Sequence, residues 1–453
     1  MCRRPYTDAV TELPDLSDVT DELFARTPEN DMVPTLARVR RVMELLGDPQ
    51  RSARVIHVTG TNGKTSTARM IETLVQATGL RVGTFTSPHL HSVTERIRID
   101  GVPIAPERFV EVHEDIRPII AMVDAEQESE GTPALTFFEV LTCLGFAAFA
   151  DAPVDVVVLE VGLGGTWDAT NVADGDVAVI TPIALDHEHW LGRTDVEIAA
   201  EKAGIIKPGA IAVIASQSPD VLDVLIRQCA RVSATPRVFG RDFDLLGRRV
   251  AVGGQVLDIR SMTGQYEEVF LSLHGEHQAR NATLAVAAVE ALLVAEEPLD
   301  QALVDALGSA MSPGRLEAVS REPTVLLDAA HNPAGAASLA AALRESFTFL
   351  DTTAVIAAMS DKDIPGMLTA LRDVVDRVVA TQNSQPRSAS AEAVGRWAAE
   401  IWGEDHVTVE PDLADALAMA TRQATQSGGG VVVTGSVVTV AEARAILVPE
   451  EQR

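Results

Sequence analysis

The chain has 453 residues, 46% hydrophobic and 23% charged, which suits a globular protein of two domains rather than a single core. A net charge of −28 argues against nucleic acid, whose binding runs on cationic patches, and no apolar run is long enough to span a bilayer. Three scattered cysteines, Cys2, Cys143 and Cys229, suit a reducing compartment. The opening Met1-Cys2-Arg3-Arg4-Pro5-Tyr6-Thr7-Asp8 lacks the apolar stretch of a signal peptide, so a cytoplasmic protein is expected.

Residues 1–31 are acidic and turn-rich and read as a loose end. Leu36, Val39, Val42, Met43 and Leu46 recur at helical spacing and stop at Gly47. A strand over 54–59 then runs into Gly60-Thr61-Asn62-Gly63-Lys64-Thr65, and a helix with Met70, Ile71, Leu74 and Val75 on one face follows, ending at Gly79. Strand, glycine loop and helix in that order make a phosphate cradle: backbone N–H groups face an anion, a lysine reaches the terminal phosphates and a hydroxyl meets Mg²⁺. The loop is a shortened variant, because Val58 stands where the full eight-residue pattern places its first glycine.

Arg81 to Phe85 read as a strand that delivers Thr86-Ser87-Pro88-His89-Leu90 to its carboxyl end, where open α/β sheets bind ligands. Residues 95–101 give a hairpin signal, a helix is expected near 106–125, and 126–133 read as a polar loop. A largely apolar helix is predicted over 137–150, with Thr136-Phe137-Phe138-Glu139 at its mouth. Val154 to Val161 reads as a buried parallel strand, and Glu160 inside it must pair, cap or bind a cation. Gly162-Leu163-Gly164-Gly165 and Asp168-Ala169-Thr170-Asn171 follow. A strand over 177–183 leads to Asp186-His187-Glu188-His189-Trp190, a helix over 195–206 carries Glu201-Lys202-Ala203-Gly204, and 211–215 is another strand.

Residues 237–273 change to short alternating segments, a small β-rich patch, before a long Ala/Val/Leu helix that contains Asn281. The breaker pair in Ser312-Pro313-Gly314-Arg315 marks the domain boundary, giving 1–311 and 312–453. Strands over 325–328, 353–358, 376–380, 407–409 and 431–434 alternate with helices, and Asp328-Ala329-Ala330-His331-Asn332-Pro333 opens one of them. The expected fold class is α/β: an N-terminal P-loop ATPase-type domain and a C-terminal Rossmann-like domain. The second has no Gly-Lys loop, so it supplies a co-substrate or a lid.

Only four of the 37 basic residues are lysine: Lys64, Lys202, Lys207 and Lys362. Where arginine serves as the general cation, a retained lysine is suspected of work that needs a compact charge or a neutral amine. Glu160, Ser87 and His187 lie near strand carboxyl ends, an oxygen-and-imidazole set compatible with Mg²⁺ whose shell phosphates complete. Asp328 and His331 face the same cleft if the two domains close on each other. Neither a Ser-His-Asp spacing nor a Cys/His zinc spacing occurs.

The glycine loop, Thr86 to Leu90, Glu160 to Gly165, Asp168 to Asn171, Leu185-Asp186-His187, Glu201 to Ile205, Pro313-Gly314-Arg315 and Asp328 to Pro333 together resemble folylpolyglutamate synthase and bifunctional dihydrofolate synthase, of the wider Mur ligase family. The resemblance spans about residues 32 to 440. It implies an ATP-dependent ligase in which a pterin carboxylate is phosphorylated and the acyl phosphate is attacked by the amine of L-glutamate. It implies that Thr61, Asn62, Gly63, Lys64, Thr65, Asn281, Arg315 and Asp328 bind ATP. Ser87, Glu160 and His187 then hold two Mg²⁺, Lys202 is carbamylated, and His331 and Ser436 lie near glutamate or phosphate. Met32, Val33, Pro34, Thr136, Phe137, Phe138, Glu139, Trp167, Asp168 and Ala169 correspond to the pterin pocket. The substrates are dihydropteroate or a reduced folate, L-glutamate and ATP, with a monomer expected.

Two positions depart from the pattern. Thr65 stands where some relatives carry glycine, and Thr166-Trp167 where many carry Arg-Leu. The loop and the Lys202 motif also permit a cell-wall Mur ligase. A non-catalytic nucleotide switch is a further alternative, although the Asn-Lys-x-Asp of guanine-binding switches is absent.

Overall fold

The valine-rich runs of the sequence become parallel strands because both of their faces are covered. The computed structural model describes residues 13–28 and 33–449. The first sheet contains β1 (Arg54–Thr59), β2 (Val82–Phe85), β3 (Ile97–Ile99), β4 (Val102–Pro103), β5 (Val156–Glu160), β6 (Val177–Ile180), β7 (Ile211–Ile214) and β8 (Thr235–Val238). Its order is β4-β3-β2-β5-β1-β6-β7-β8, parallel except for the hairpin strands β3 and β4 at one edge. Val58 pairs with Glu160 and Thr59 with Ile180, so β1, β5 and β6 end level and their loops open on one rim.

On one face, Ile56 and Val58 pack with Met70 and Ile71 of the helix Lys64–Ala77 and with Val286 and Val289 of the helix Glu276–Leu293. On the other face, Val55, Phe85 and Val157 pack against the helices Pro106–Glu130 and Phe137–Asp151. Each fully buried aliphatic side chain contributes roughly 1.5–3 kcal/mol. The helix Glu276–Leu293 is apolar on nearly every side because its outer side is covered too. That cover is the predicted β-rich patch, a three-stranded antiparallel sheet of β9 (Asp244–Ala251), β10 (Gly254–Arg260) and β11 (Gln265–Leu271), whose Leu257, Ile259 and Val269 join the same cluster. Glu290, buried in this helix, accepts hydrogen bonds from the Tyr266 hydroxyl and the Met262 N–H.

The second sheet contains β12 (Glu317–Arg321), β13 (Thr324–Asp328), β14 (Thr352–Ile356), β15 (Arg377–Ala380), β16 (Val407–Val409) and β17 (Gly430–Thr434). Its order is β12-β13-β17-β14-β15-β16, with only β12 antiparallel.

Several expectations need correction. Within the segment read as loose, Leu16–Phe24 is a helix, capped by Asp15 and anchored by buried Val19 and Leu23. The helix expected to stop near 125 continues to Glu130 and ends on Gly131 at φ +70°, so most of the predicted polar loop is helical. The helix over 195–206 ends at Lys202 and tightens into a 3₁₀ turn, Ala203–Ile205. The helix Pro219–Val232 and the edge strand β12 were not foreseen. Among the described residues no helix is long and apolar enough to cross a membrane.

Candidate active site

The turn after β1 closes because two of its residues have no side chain. Gly60, at φ +147°, lies against Thr181, whose Oγ1 an added Cβ would meet at 1.8 Å. Gly63, at φ +88°, lies against the Asn281 amide in the same way, at 2.8 Å. Gly63 also begins the helix Lys64–Ala77, and no side chain caps it, so the first N–H groups remain available to an anion. Thr61 pins the loop to the rim beyond β6: its Oγ1 donates to the Ala184 carbonyl at 2.9 Å and accepts the Ala184 N–H at 3.0 Å.

Two lysines converge on this loop. Lys64 Nζ donates to the Gly60 and Thr61 carbonyls, each at 3.2 Å, and Lys202 Nζ donates to the same Gly60 carbonyl at 2.8 Å. Burial lowers the Lys64 pKa, with Glu160 and Asp186 acting against it. Lys202 is brought down to about 7, first by burial and then by the neighbouring Lys64 charge. Its amine is therefore substantially neutral near neutral pH.

Glu160, 1% exposed at the end of β5, accepts the Thr65 hydroxyl at 2.8 Å and the Ser87 backbone N–H at 3.2 Å. Burial raises its pKa, opposed by Lys64. Among the described residues no three His, Cys, Asp or Glu side chains gather as a metal cluster. The hard-oxygen set of Glu160 with the Thr65 and Ser87 hydroxyls nevertheless suits Mg²⁺, which takes few protein ligands when phosphates complete its shell. His187 sits at φ +51° before the short helix Glu188–Leu191 and lines the neighbouring cleft.

That cleft, of about 230 Å³, is lined by Val33, Pro34, Thr136, Phe138, Glu139, Trp167, Asp168 and Ala169, together with His187 and Trp190. Asp168 accepts the N–H groups of Leu163 and Thr170, and burial lifts its carboxyl to about 6 against those bonds. Glu139 lines the cleft but is already engaged: it closes a capping box with Thr136 and takes a bidentate pair from buried Arg38. Phe137 is a correction. It turns away to stack on Phe24 at 5.1 Å beneath the Arg96 guanidinium, since successive residues at a helix start point to different sides. Met32 lies outside the described residues. Ser436 caps the helix Val437–Leu447 by accepting the Val438 N–H at 3.1 Å.

The second domain reaches the loop through Asn332. Arg315 donates to the Ala329 carbonyl at 3.3 Å, and Asp328 accepts the N–H groups of Leu316 and Ala330, each at 2.9 Å. Asn62 and Asn332 exchange amide hydrogen bonds at 3.2 and 3.1 Å. His331 Nε2 lies 3.4 Å from Asp186, and Lys362 Nζ donates to Asp186 at 2.6 Å. Burial alone would raise the Asp186 pKa, but His331, His187 and Lys362 outweigh it and hold the carboxyl well below its usual range.

Sequence reasoning gave no role to Arg38, Trp190, Asp186, Lys362 or Arg387, the last of which lines the cleft from the second domain. Lys362 carried a signal, as one of four lysines, and Asp186 stood inside a quoted motif. Arg38 carried none.

Two family models match the chain: the Mur ligase middle domain over residues 114–289 and the Mur ligase glutamate ligase domain over 314–437. The dihydrofolate synthase/folylpolyglutamate synthase of Mycobacterium tuberculosis is 45% identical, over 98% of this chain and 95% of that protein. The solved structure of Mycobacterium tuberculosis folylpolyglutamate synthase complexed with ADP superimposes with a TM-score of 0.91 at 46% identity, covering 96% of this chain and 98% of that one. The E. coli FolC structure in complex with DHPP and ADP gives 0.83 at 32% identity, covering 96% and 97%.

Proposed function

The chain belongs to the dihydrofolate synthase/folylpolyglutamate synthase family of Mur-type ligases, and from that membership we propose how its residues divide the work. It is an ATP-dependent ligase that adds L-glutamate to folates, and to dihydropteroate, through an acyl phosphate, releasing ADP and phosphate. The observation that carries the assignment of roles is the shared Gly60 carbonyl, which brings Lys64 and Lys202 together beside Glu160 and next to the cleft.

A carboxylate is a poor electrophile until one of its oxygens becomes a leaving group. Transfer of the γ-phosphoryl group to it depends chiefly on alignment and charge neutralisation. The uncapped helix start, Asn62, Gly63 and Lys64 cradle the phosphates, with Thr61, Thr65, Asn281, Arg315 and Asp328 completing the ATP site. Ser87 and Glu160 would hold one Mg²⁺ and His187 a second, neutralising phosphate charge when bound. A buried lysine near neutrality can take up CO₂, a reaction unavailable to arginine, and this supports a carbamylated Lys202. The cleft walls, with Trp167, Phe138 and Trp190, suit a flat heterocycle. His331 stands where the glutamate amine must approach. Glu139 borders the pterin while paired with Arg38, and Ser436 lies near glutamate or phosphate while capping its helix.

The chain divides at 1–311 and 312–453. Both halves of the gap come from one chain, which supports a working monomer. The unpaired Cys143 and Cys229 support a cytoplasmic location.

The test offers ATP and radiolabelled glutamate with dihydropteroate, with tetrahydrofolate and with a UDP-muramoyl peptide precursor, each separately. Glutamate should enter product with both pterins and not with the third. Incorporation only with the UDP substrate, or tight nucleotide binding without turnover, would overturn the assignment.

A further inference from the structure

Asp186 has no place in holding phosphate or pterin, yet its carboxylate is 8% exposed and fully engaged. Oδ1 accepts Lys362 Nζ at 2.6 Å and the His187 backbone N–H at 2.8 Å. Oδ2 accepts Asn332 Nδ2 at 3.1 Å and lies 3.4 Å from His331 Nε2. A carboxylate offers about four lone-pair sites, so this one is saturated. Three of its four partners come from the second domain, on two separate loops: His331 and Asn332 after β13, Lys362 after β14. Asp186 itself stands two residues beyond Ala184, which is bonded in both directions to Thr61 of the phosphate loop. Asn332 ties the same two parts again through Asn62.

Buried ion pairs contribute little net stability compared with well-packed apolar groups, but they fix geometry. A saturated carboxylate between two domains therefore sets register more than it supplies strength. We propose that Asp186 is a positioning residue for ligation: it docks the two second-domain loops that carry His331 and Lys362 onto the phosphate loop. The glutamate-bearing side then faces the acyl group formed there. The inference rests on the ligase reading above.

Asp186→Asn keeps the shape but exchanges an acceptor oxygen for a donor. Turned one way, the new amide N–H₂ meets the Lys362 ammonium and the His187 N–H; turned the other, it meets the Asn332 N–H₂, so a donor faces a donor in either orientation. The test compares full-length wild type, D186N, K362M and the double variant in steady-state kinetics and ADP titration. D186N and K362M should each raise KM for L-glutamate or lower kcat by about tenfold to a hundredfold. ADP affinity and pterin KM should move far less. In glutamate-free mixtures with the pterin acid, exchange of label between the bridging and non-bridging oxygens of ATP should persist. The double variant should be no worse than D186N, because both break one contact. Unchanged glutamate kinetics, an equal loss of ADP affinity, or additive effects in the double variant would overturn the proposal. K362M leaves Asp186 in place, so it answers the question even if D186N does not fold. A wild-type chain without glutamate-dependent turnover would overturn the ligase reading, and this inference with it.

Discussion

The turn after β1 and the turn after β13 begin alike and end differently. Each leaves the carboxyl end of a buried parallel strand and enters a 14-residue helix. The first enters through Gly63 in the left-handed region, with no side chain on the helix start. The second enters through Asn332 in extended conformation, whose Oδ1 accepts the Gly335 N–H at 2.8 Å, with Pro333 next in line and no N–H to offer. One helix start stays open to an anion and the other satisfies itself. The same βα geometry thus leaves a helix start uncapped in one domain and, in the other, builds a scaffold that hands His331 and Asn332 across the gap.

The largest break in this asymmetry removes the cation from the open turn. Lys64→Ala should lower kcat/KM for ATP by about 10²–10³-fold, as for loss of one preorganised charge in a closed site. Initial rates at varied ATP measure it, and unchanged ATP kinetics would take the loop out of the mechanism.

Lys202 tests what the open turn holds beside it. Lys202→Arg puts a permanent cation in place of an amine that can add CO₂, and turnover should fall by about a hundredfold. With ¹³C-bicarbonate, a carbamate resonance should appear in wild type, grow as pH rises through about 7 and be missing from the variant. The sign follows from the lowered pKa: only the neutral amine adds CO₂, and its share increases above that value. Near-wild-type turnover of the variant would exclude the carbamate.

Acid should distinguish the domains. His57, His89 and His277, all in the first domain, are held at about 3, about 4 and about 4 by burial, against 6.5 in the unfolded chain. The unfolded chain therefore takes up their protons first. The stability linked to them is whole above 6.5 and is lost as pH falls toward 4. Hydrogen exchange across that range should show first-domain strands losing protection before β13, β14 and β17; the reverse order would contradict the comparison.

The smallest effect comes from the closed turn. Asn332→Ala removes its cap together with the bonds to Asn62 and Asp186 and should cost about 1–2 kcal/mol, seen as a shift in the denaturant midpoint. No shift would mean that the cap and these bonds are energetically idle.

The sequence alone determined the open turn. Gly60, Gly63, Lys64 and Thr65 act within one loop, and the backbone freedom and short reach they need are set by neighbours in the chain. Parallel strands and the covering β-rich patch were legible for the same reason, as composition and period are local properties. The tertiary structure alone decided partnership. Arg38 meets Glu139 across 101 residues, Asp186 meets Lys362 across 176, and Asn62 meets Asn332 across 270. Periodicity says which face of an element is buried but not what will be opposite it. That is why Phe137 turned from the cleft to Phe24, and why Asp186 gained its place only once the two sheets were set side by side.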